Sequence, residues 1–333
     1  MTKKFMLTFI MCILSLTLIL SGCSSGKNEN ADKTSQTSQD KTTLNLYGAG
    51  TLATPFRELT KAFEAKYPNI VVHSQFGGSV KMVKQVTELK QPADIVAVAD
   101  YSVIPKYMME KSGQKYADWY IGFATNGITF VYTDRSKGAD KINADNWYQV
   151  LAQPGVQIGR SNPDTDPSGY QTLQMLNLAE KYYKKPGLAQ AVLKNAPKSN
   201  IRDTETELLS ALEAGQIDYL AIYRSDARQH GLKYLNLPAD IDLSDAKYSA
   251  SYKDIKVTTK NGQLTGKPIV YAITVPTTSS HKDLADKYLA FLLSPEGQSI
   301  LKKDGFGQLQ TPYANQTASL PTELKPMVTL WPK

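Results

Sequence analysis

Apolar positions along this chain alternate between a period of two and a helical period, and the switches between them mark the elements. Residues 44–47 read as a strand. Gly48-Ala49-Gly50-Thr51 is a tight turn of small residues. Thr54 then stands as an N-cap with Pro55 at the first helical position, and Phe56, Leu59 and Phe63 carry a helix to about Lys66. Residues 69–74 form a second strand. Gly77-Gly78-Ser79 opens a helix with Met82, Val83, Val86 and Leu89 on one face, and residues 94–99 make a third, apolar strand. Strand–helix–strand–helix–strand implies parallel pairing with right-handed crossovers. Both helices then start at the carboxyl ends of their strands, where open α/β sheets bind ligands. Thr51 and Ser79 fall together on that edge.

Residues 101–120 look helical and irregular. Residues 121–132 are a long apolar stretch broken at Thr125-Asn126-Gly127. Residues 147–152 read as a short helix. A strand at 156–159 runs into Ser161-Asn162-Pro163-Asp164-Thr165-Asp166-Pro167-Ser168-Gly169-Tyr170, and a helix at 170–183 leaves it. The exposed N–H groups and positive dipole end of that helix face back at the turn, which suits an anion. By itself the segment also fits an ordinary capped loop. Thr204-x-x-Glu207 matches a capping box for a helix ending at Gly215, residues 218–223 form a strand, and Arg224-Ser225-Asp226-Ala227 opens a short helix. Residues 269–275 are a second long apolar strand, and helices at 282–293 and 295–303 follow. The chain leaves one lobe, builds a second and returns. The expected organisation is lobe I from 43–124 plus 270–333 and lobe II from 125–269, with a ligand cleft between them that closes by hinge motion.

The N-terminus changes the picture more than the bulk composition does. Lys3 and Lys4 precede an apolar run over residues 5–20, followed by Leu20-Ser21-Gly22-Cys23. A short basic region, a short apolar core and small residues before a cut describe a secretory signal, expected over residues 1–22. Leu-Ser-Gly-Cys resembles the bacterial lipobox, which would make Cys23 the lipidated mature N-terminus. Residues 24–42 are polar and nearly free of apolar side chains, so residues 23–42 are expected to be a lipidated cysteine and a flexible tether spanning roughly 25 Å. The protein would then be extracytoplasmic and held at the cell membrane. Its 333 residues allow two lobes with cores. The net charge is +7, of which Lys3 and Lys4 contribute two, leaving +5 on the mature chain. The only other cysteine, Cys12, would leave with the signal.

Catalytic patterns are scarce. His73, His230 and His281 lack metal-ligand spacing, and there is no Gly-x-Ser-x-Gly or P-loop. Two Ser-x-x-Lys matches, at Ser112 and Ser279, have no companion motif. The tyrosines and tryptophans do not alternate with basic residues, so nucleic acid is not expected. These readings point away from an enzyme and from any cofactor.

Read together, the turns resemble the tungstate/molybdate-binding lipoproteins of ABC importers, the archaeal-type branch of the molybdate-binding family. The matching segments are Gly48-Ala-Gly-Thr-Leu-Ala-Thr-Pro-Phe56, Gly77-Gly-Ser-Val-Lys81, Ala93-Asp-Ile-Val-Ala-Val-Ala-Asp-Tyr-Ser102, Tyr116-Ala-Asp-Trp-Tyr120, Asp145-Asn-Trp-Tyr148, Asp164-Thr-Asp-Pro-Ser-Gly-Tyr170, Tyr223-Arg-Ser225 with Gln229-His-Gly-Leu-Lys-Tyr234, and Gly266-Lys-Pro-Ile-Val-Tyr271. The resemblance implies an α/β, two-lobed type II periplasmic-binding-protein fold with mixed, mostly parallel sheets. It implies molybdate or tungstate as ligand, an ABC permease as partner and a lipid on Cys23 as membrane anchor. Carried over by position, the oxyanion contacts are Gly50, Thr51, Ser79, Asp166, Pro167 and Ser168, with a further region at Ile222 and Tyr223.

One position departs from that branch. Archaeal-type members carry a glutamate before Tyr-Arg-Ser, and with the aspartate it completes a six-coordinate centre; this chain has Ile222. Thr51 also stands where a serine is usual. Relatives with an aliphatic residue at this strand end hold a tetrahedral oxyanion by hydrogen bonds alone, and that is the expectation here, with the Ile222 or Tyr223 backbone N–H facing the ion and the Ile222 side chain as an apolar wall. The alternative is a neighbouring acid, such as Asp164, in the glutamate's place. A buried dianion can be held by neutral N–H and O–H donors at helix ends. Competing readings are a receptor for sulfate or phosphate, an extracellular lipoprotein enzyme, and a scaffold on the same fold that binds no solute.

Overall fold

The computed structural model describes residues 41–109 and 113–332. The expected signal segment, Cys23 and nearly all of the tether lie outside the described residues. Among the described residues no helix is long and apolar enough to cross a membrane.

The chain begins with β1 (Thr42–Ala49), α1 (Ala53–Lys66), β2 (Ile70–Gly77), α2 (Ser79–Thr87) and β3 (Ile95–Val98). β1 lies between β2 and β3 and is parallel to both. The apolar run of β3 follows from its position: Ile95 and Ala97 face one core cluster, and Val96 and Val98 face another. A strand covered on both faces has no solvent side on which to place polar residues. In α1, Phe56, Leu59 and Phe63 are fully buried, and the Phe63 ring meets Tyr288 edge-on at 5.0 Å. The helical spacing read from the sequence therefore marks the buried face.

The long apolar stretch is two strands. β4 (Ile121–Thr125) belongs to the first sheet and β5 (Ile128–Tyr132) to the second. The break falls where the chain changes sheets. The second sheet continues with α3 (Trp147–Leu151), β6 (Ile158–Ser161), α4 (Pro167–Tyr182), β7 (Ile201–Arg202), β8 (Tyr219–Tyr223) and β9 (Lys233–Tyr234), then a hairpin of β10 (Lys256–Thr259) and β11 (Gly262–Thr265). β12 (Val270–Thr274) returns to the first sheet, which β13 (Tyr313–Ala314) and β14 (Thr329–Leu330) complete. The strand orders are β14-β13-β4-β12-β3-β1-β2 and β7-β6-β8-β5-β9. Both sheets are mixed. The crossing strands run against their neighbours: β12 is antiparallel to β3 and β4, and β5 to β8. This is the two-lobed architecture of periplasmic binding proteins.

Three local expectations differ from the structure. Thr54 does not cap a helix, because the chain is already helical in a 3-10 turn from Gly50 to Leu52. Thr204 and Glu207 form no capping box: a 3-10 turn, Glu205–Leu208, starts there without a side-chain cap. The helix after the ligand-edge turn starts at Pro167 rather than Tyr170, because Asp166 caps it and Pro167 takes the first position.

The two C-terminal helices, Lys282–Leu293 and Pro295–Lys303, close the first lobe. Asp286 in the first of them is buried with Oδ1 unbonded. Burial, and then the nearby Glu323 and Asp283, push its carboxyl up to about 7. The folded state therefore holds a proton that the unfolded chain has released, and stability falls as pH rises from the ordinary carboxylate range through about 7. We expect Asp286→Asn to raise stability by about 1–3 kcal/mol at about pH 8 and to leave it unchanged at about pH 4. Equal denaturant midpoints for the two proteins at the higher pH would contradict this.

Candidate functional site: a closed cleft between the lobes

The pairing Ala49↔Gly77 places the ends of β1 and β2 side by side. The residues that follow them, Gly50-Thr51 and Gly78-Ser79, thus share one edge of the first sheet. Thr51 is 2 % exposed, and its Oγ1 is 2.9 Å from the Tyr271 hydroxyl. Ser79 is the first residue of α2 and 1 % exposed. Its Oγ accepts a hydrogen bond from Ala99 N at 3.0 Å. A hydroxyl used as acceptor keeps its own hydrogen to donate.

The second lobe meets this edge with the N-terminus of α4. Asp166 Oδ1 accepts from Ser168 N at 2.9 Å, Pro167 occupies the first turn, and Ser168 is fully buried. Ser168 Oγ donates to Glu205 Oε2 at 2.8 Å and lies 2.5 Å from Ser161 Oγ. Asp164 turns elsewhere: its Oδ1 accepts from Lys260 N at 2.7 Å, at the tip of the β10–β11 hairpin. That tip also reaches the first lobe. Asn261 Nδ2 donates to Asp164 O at 2.7 Å, and Lys106 Nζ donates to Asn261 O at 2.6 Å. Of the two acids in this turn, Asp166 is the one buried within the cleft. At the end of β8, Tyr223 is fully buried and donates to Gln171 Oε1 at 2.7 Å. Ile222 packs in an apolar cluster with Val131, Leu208 and Leu212.

The lobes touch through backbone. Val80 N and Lys81 N both donate to Thr165 O, at 3.1 and 3.3 Å. Two of the N–H groups at the start of α2 are thus spent across the cleft. A Cβ on Gly78 would lie 2.5 Å from Thr165 O, and one on Gly50 would lie 2.8 Å from Thr204 Oγ1, so both approaches need glycine. Lys81 pairs with Asp203 at 2.8 Å. Tyr170 in α4 donates to Asp100 Oδ2 at 2.7 Å, and Lys267 pairs with the same oxygen at 3.1 Å.

The structure adds three groups that the sequence reading gave no role: Glu205, Asp226 and Tyr271, all essentially buried. Glu205 Oε2 also accepts from Thr204 Oγ1 at 3.1 Å. Ser168 bonds both acids, through Oγ to Glu205 and through its backbone N to Asp166. Asp226 Oδ2 has no hydrogen-bond partner. Burial, then the charge of Glu205, raises both the Asp166 and the Asp226 carboxyls well above the usual range. Among the described residues none of the three acids forms an ion pair. Glu205 was hidden by the capping-box pattern around it, which assigned Thr204 and Glu207 to the helix start. Tyr271 closes a matched segment, Gly266 to Tyr271, and that was its one signal.

Residues 44–307 match the family described as "Bacterial extracellular solute-binding protein". The chain belongs to this family. It is a solute-binding protein and not an enzyme. A relative from Petrotoga mobilis, named an uncharacterized solute-binding protein, is 38% identical over 286 residues, covering 84% of this chain and 88% of the relative. The protein named molybdate/tungstate-binding protein WtpA from Pyrococcus abyssi is 37% identical, covering 95% of this chain and 97% of that one. The WtpA of Thermococcus kodakarensis is 36% identical, with 95% and 94% covered. Among solved structures, the periplasmic molybdate-binding protein of Azotobacter vinelandii aligns with a TM-score of 0.59 at 18% identity, over 80% of this chain and 100% of that one. The sulfate-binding protein SubI of Mycobacterium tuberculosis aligns at 0.57 and 16%, over 81% and 88%. At these identities the structural matches speak to the fold alone.

Gly78 gives a direct test of the closed arrangement. Its φ of −56° and ψ of 130° suit alanine, so Gly78→Ala should fold normally and yet be unable to bring α2 against Thr165 O. We expect its radius of gyration in small-angle scattering to exceed that of the parent protein at a saturating oxyanion concentration. A variant as compact as the parent would show that the contact does not limit closure.

Proposed function

We propose that this protein captures molybdate or tungstate in the cleft between its lobes and delivers it to an ABC permease, held at the membrane by a lipid on Cys23. The observation that carries the reading is the pair of buried hydroxyls, Thr51 and Ser79, on one edge of the first sheet, met by the N-terminus of α4 from the second lobe. Neutral donors at helix ends hold a dianion without a full counter-charge. The names of the Pyrococcus and Thermococcus relatives support the choice of ion. In this reading Gly50, Thr51 and Ser79 contact the ion from the first lobe, and Asp166, Pro167, Ser168 and the end of β8 at Ile222 and Tyr223 contact it from the second. The lobes move about the crossings near Thr125 and Ile269.

Calorimetric titration with molybdate, tungstate, sulfate and phosphate tests the choice of solute. Molybdate or tungstate should bind most tightly, and Ser79→Ala should weaken that binding by about 1–3 kcal/mol through loss of one donor to a charged ligand. Sulfate or phosphate winning would move the assignment to another tetrahedral oxyanion, and no binding by any of the four would end it.

With Ile222 in place of an acid, the ion should remain tetrahedral and hydrogen-bonded. X-ray absorption on the complex should give four short metal–oxygen distances. Two additional long ones would mean that carboxylates have joined the central atom.

A further inference from the structure

Asn126 stands in the break between β4 and β5, where the chain changes sheets, and it is 2 % exposed. Its backbone N donates to Ile269 O at 3.3 Å, so it also touches the returning crossing. The orientation of its side-chain amide is fixed. Gly127 N and Ser225 N both donate to Oδ1, at 3.0 and 3.3 Å, and a backbone N–H has nothing to offer an amide NH2. Nδ2 therefore faces the other way. It donates one hydrogen to Ser225 Oγ at 2.8 Å and the other to the Tyr271 hydroxyl at 3.3 Å.

The direction of the next bond follows from counting hydrogens. Tyr271 is fully buried, and burial raises its hydroxyl well above the usual range, so it keeps its one hydrogen. That hydroxyl accepts from Asn126, and among the described residues its other bond is with Thr51 Oγ1 at 2.9 Å. If Thr51 donated along this bond, the phenol would receive two hydrogens and leave its own without an acceptor in a buried site, which is unfavourable. The phenol therefore donates to Thr51, and Thr51 has its own hydrogen left to give. Ser79 reaches the same state by accepting from Ala99 N.

We propose that Asn126 is a positioning residue for solute binding: acting through the Tyr271 hydroxyl, it fixes the Thr51 hydroxyl as a donor to the solute. This rests on the oxyanion reading above and adds a residue outside its contacts. The amide is held by Ser225, in the helix Arg224–Gln229 of the second lobe, while the hydroxyl it directs stands on the first. A donor on one lobe is thus set by backbone on the other.

Calorimetric titration of tungstate into the unmodified protein, Asn126→Ala, Tyr271→Phe and the double variant tests the chain, with thermal unfolding checked for each. Tyr271→Phe keeps a ring among Phe123, Tyr223 and Phe306 and removes only the hydroxyl. Each single variant should lose about three- to thirtyfold in affinity. The double variant should lose no more than the larger of the two single losses, because both changes cut one chain. A role confined to bracing the crossings would persist without the phenol, so losses that multiply in the double variant would overturn the proposal. Unchanged affinity in either folded single variant would overturn it too. Asn126→Asp serves where Asn126→Ala does not fold, since it keeps an oxygen for Gly127 N and Ser225 N but has no hydrogen for Tyr271. Its loss should shrink at least about threefold when residue 271 is Phe. An equal loss in both backgrounds would show that the new charge acts directly, and would overturn the proposal while leaving the oxyanion function standing. If the unmodified protein binds none of the four oxyanions, both readings fall together.

Discussion

Charge buried without a counter-charge is the constraint on which the cleft depends. Asp166, Glu205 and Asp226 are all buried, and burial, then the charge of Glu205, raises the Asp166 and Asp226 carboxyls well above the usual range. The surroundings are built to lower that cost with dipoles. Ser161 and Ser168 form a relay to Glu205, Thr204 bonds the same oxygen, and the first turn of α4 donates Ser168 N to Asp166. These bonds lie within the second lobe, and the first turn of α4 fixes one of their donors.

The second element is shape. The lobes meet in backbone at Thr165 O, Gly78 and the first N–H groups of α2, with side-chain contacts around that point. Backbone contacts have almost no rotamer freedom to lose, so this meeting costs little side-chain entropy. The flanking ion pair of Lys81 and Asp203 is half-exposed and adds little. Asp100 gathers Tyr170 and Lys267, tying α4 of the second lobe to the end of β3.

The frame was legible in the sequence wherever burial set the pattern. Phe56, Leu59 and Phe63 face a core, so their spacing gave α1. The bounds read for the helices Lys282–Leu293 and Pro295–Lys303 match the structure, because an amphipathic face and a Ser294–Pro295 cap are both local signals. The cleft was legible only in part. Thr51, Ser79, Asp166 and Ser168 stand at helix starts that local chemistry announces. Glu205 and Tyr271 reach the cleft from a 3-10 turn and from the returning β12, and no local helix-start chemistry announces them. Their placement is a product of topology: residues 166 and 205 follow the ends of β6 and β7 in the second sheet, and Tyr271 stands at the start of β12 in the first. The capping-box reading failed at Thr204 for a related reason, since its hydroxyl bonds a carboxylate in the cleft in preference to its own helix.

The β10–β11 hairpin has a kinetic consequence. Its tip holds Asp164 from one side through Lys260 N and Asn261 Nδ2, and receives Lys106 Nζ from the first lobe on the other. It is a strap across the mouth, secured by bonds that touch no part of the solute-contacting set. Of these bonds the one from Lys106 to Asn261 joins the two lobes, and the other two hold the hairpin within the second. On the proposed function, this clasp bears on how long a solute stays rather than on which solute is chosen.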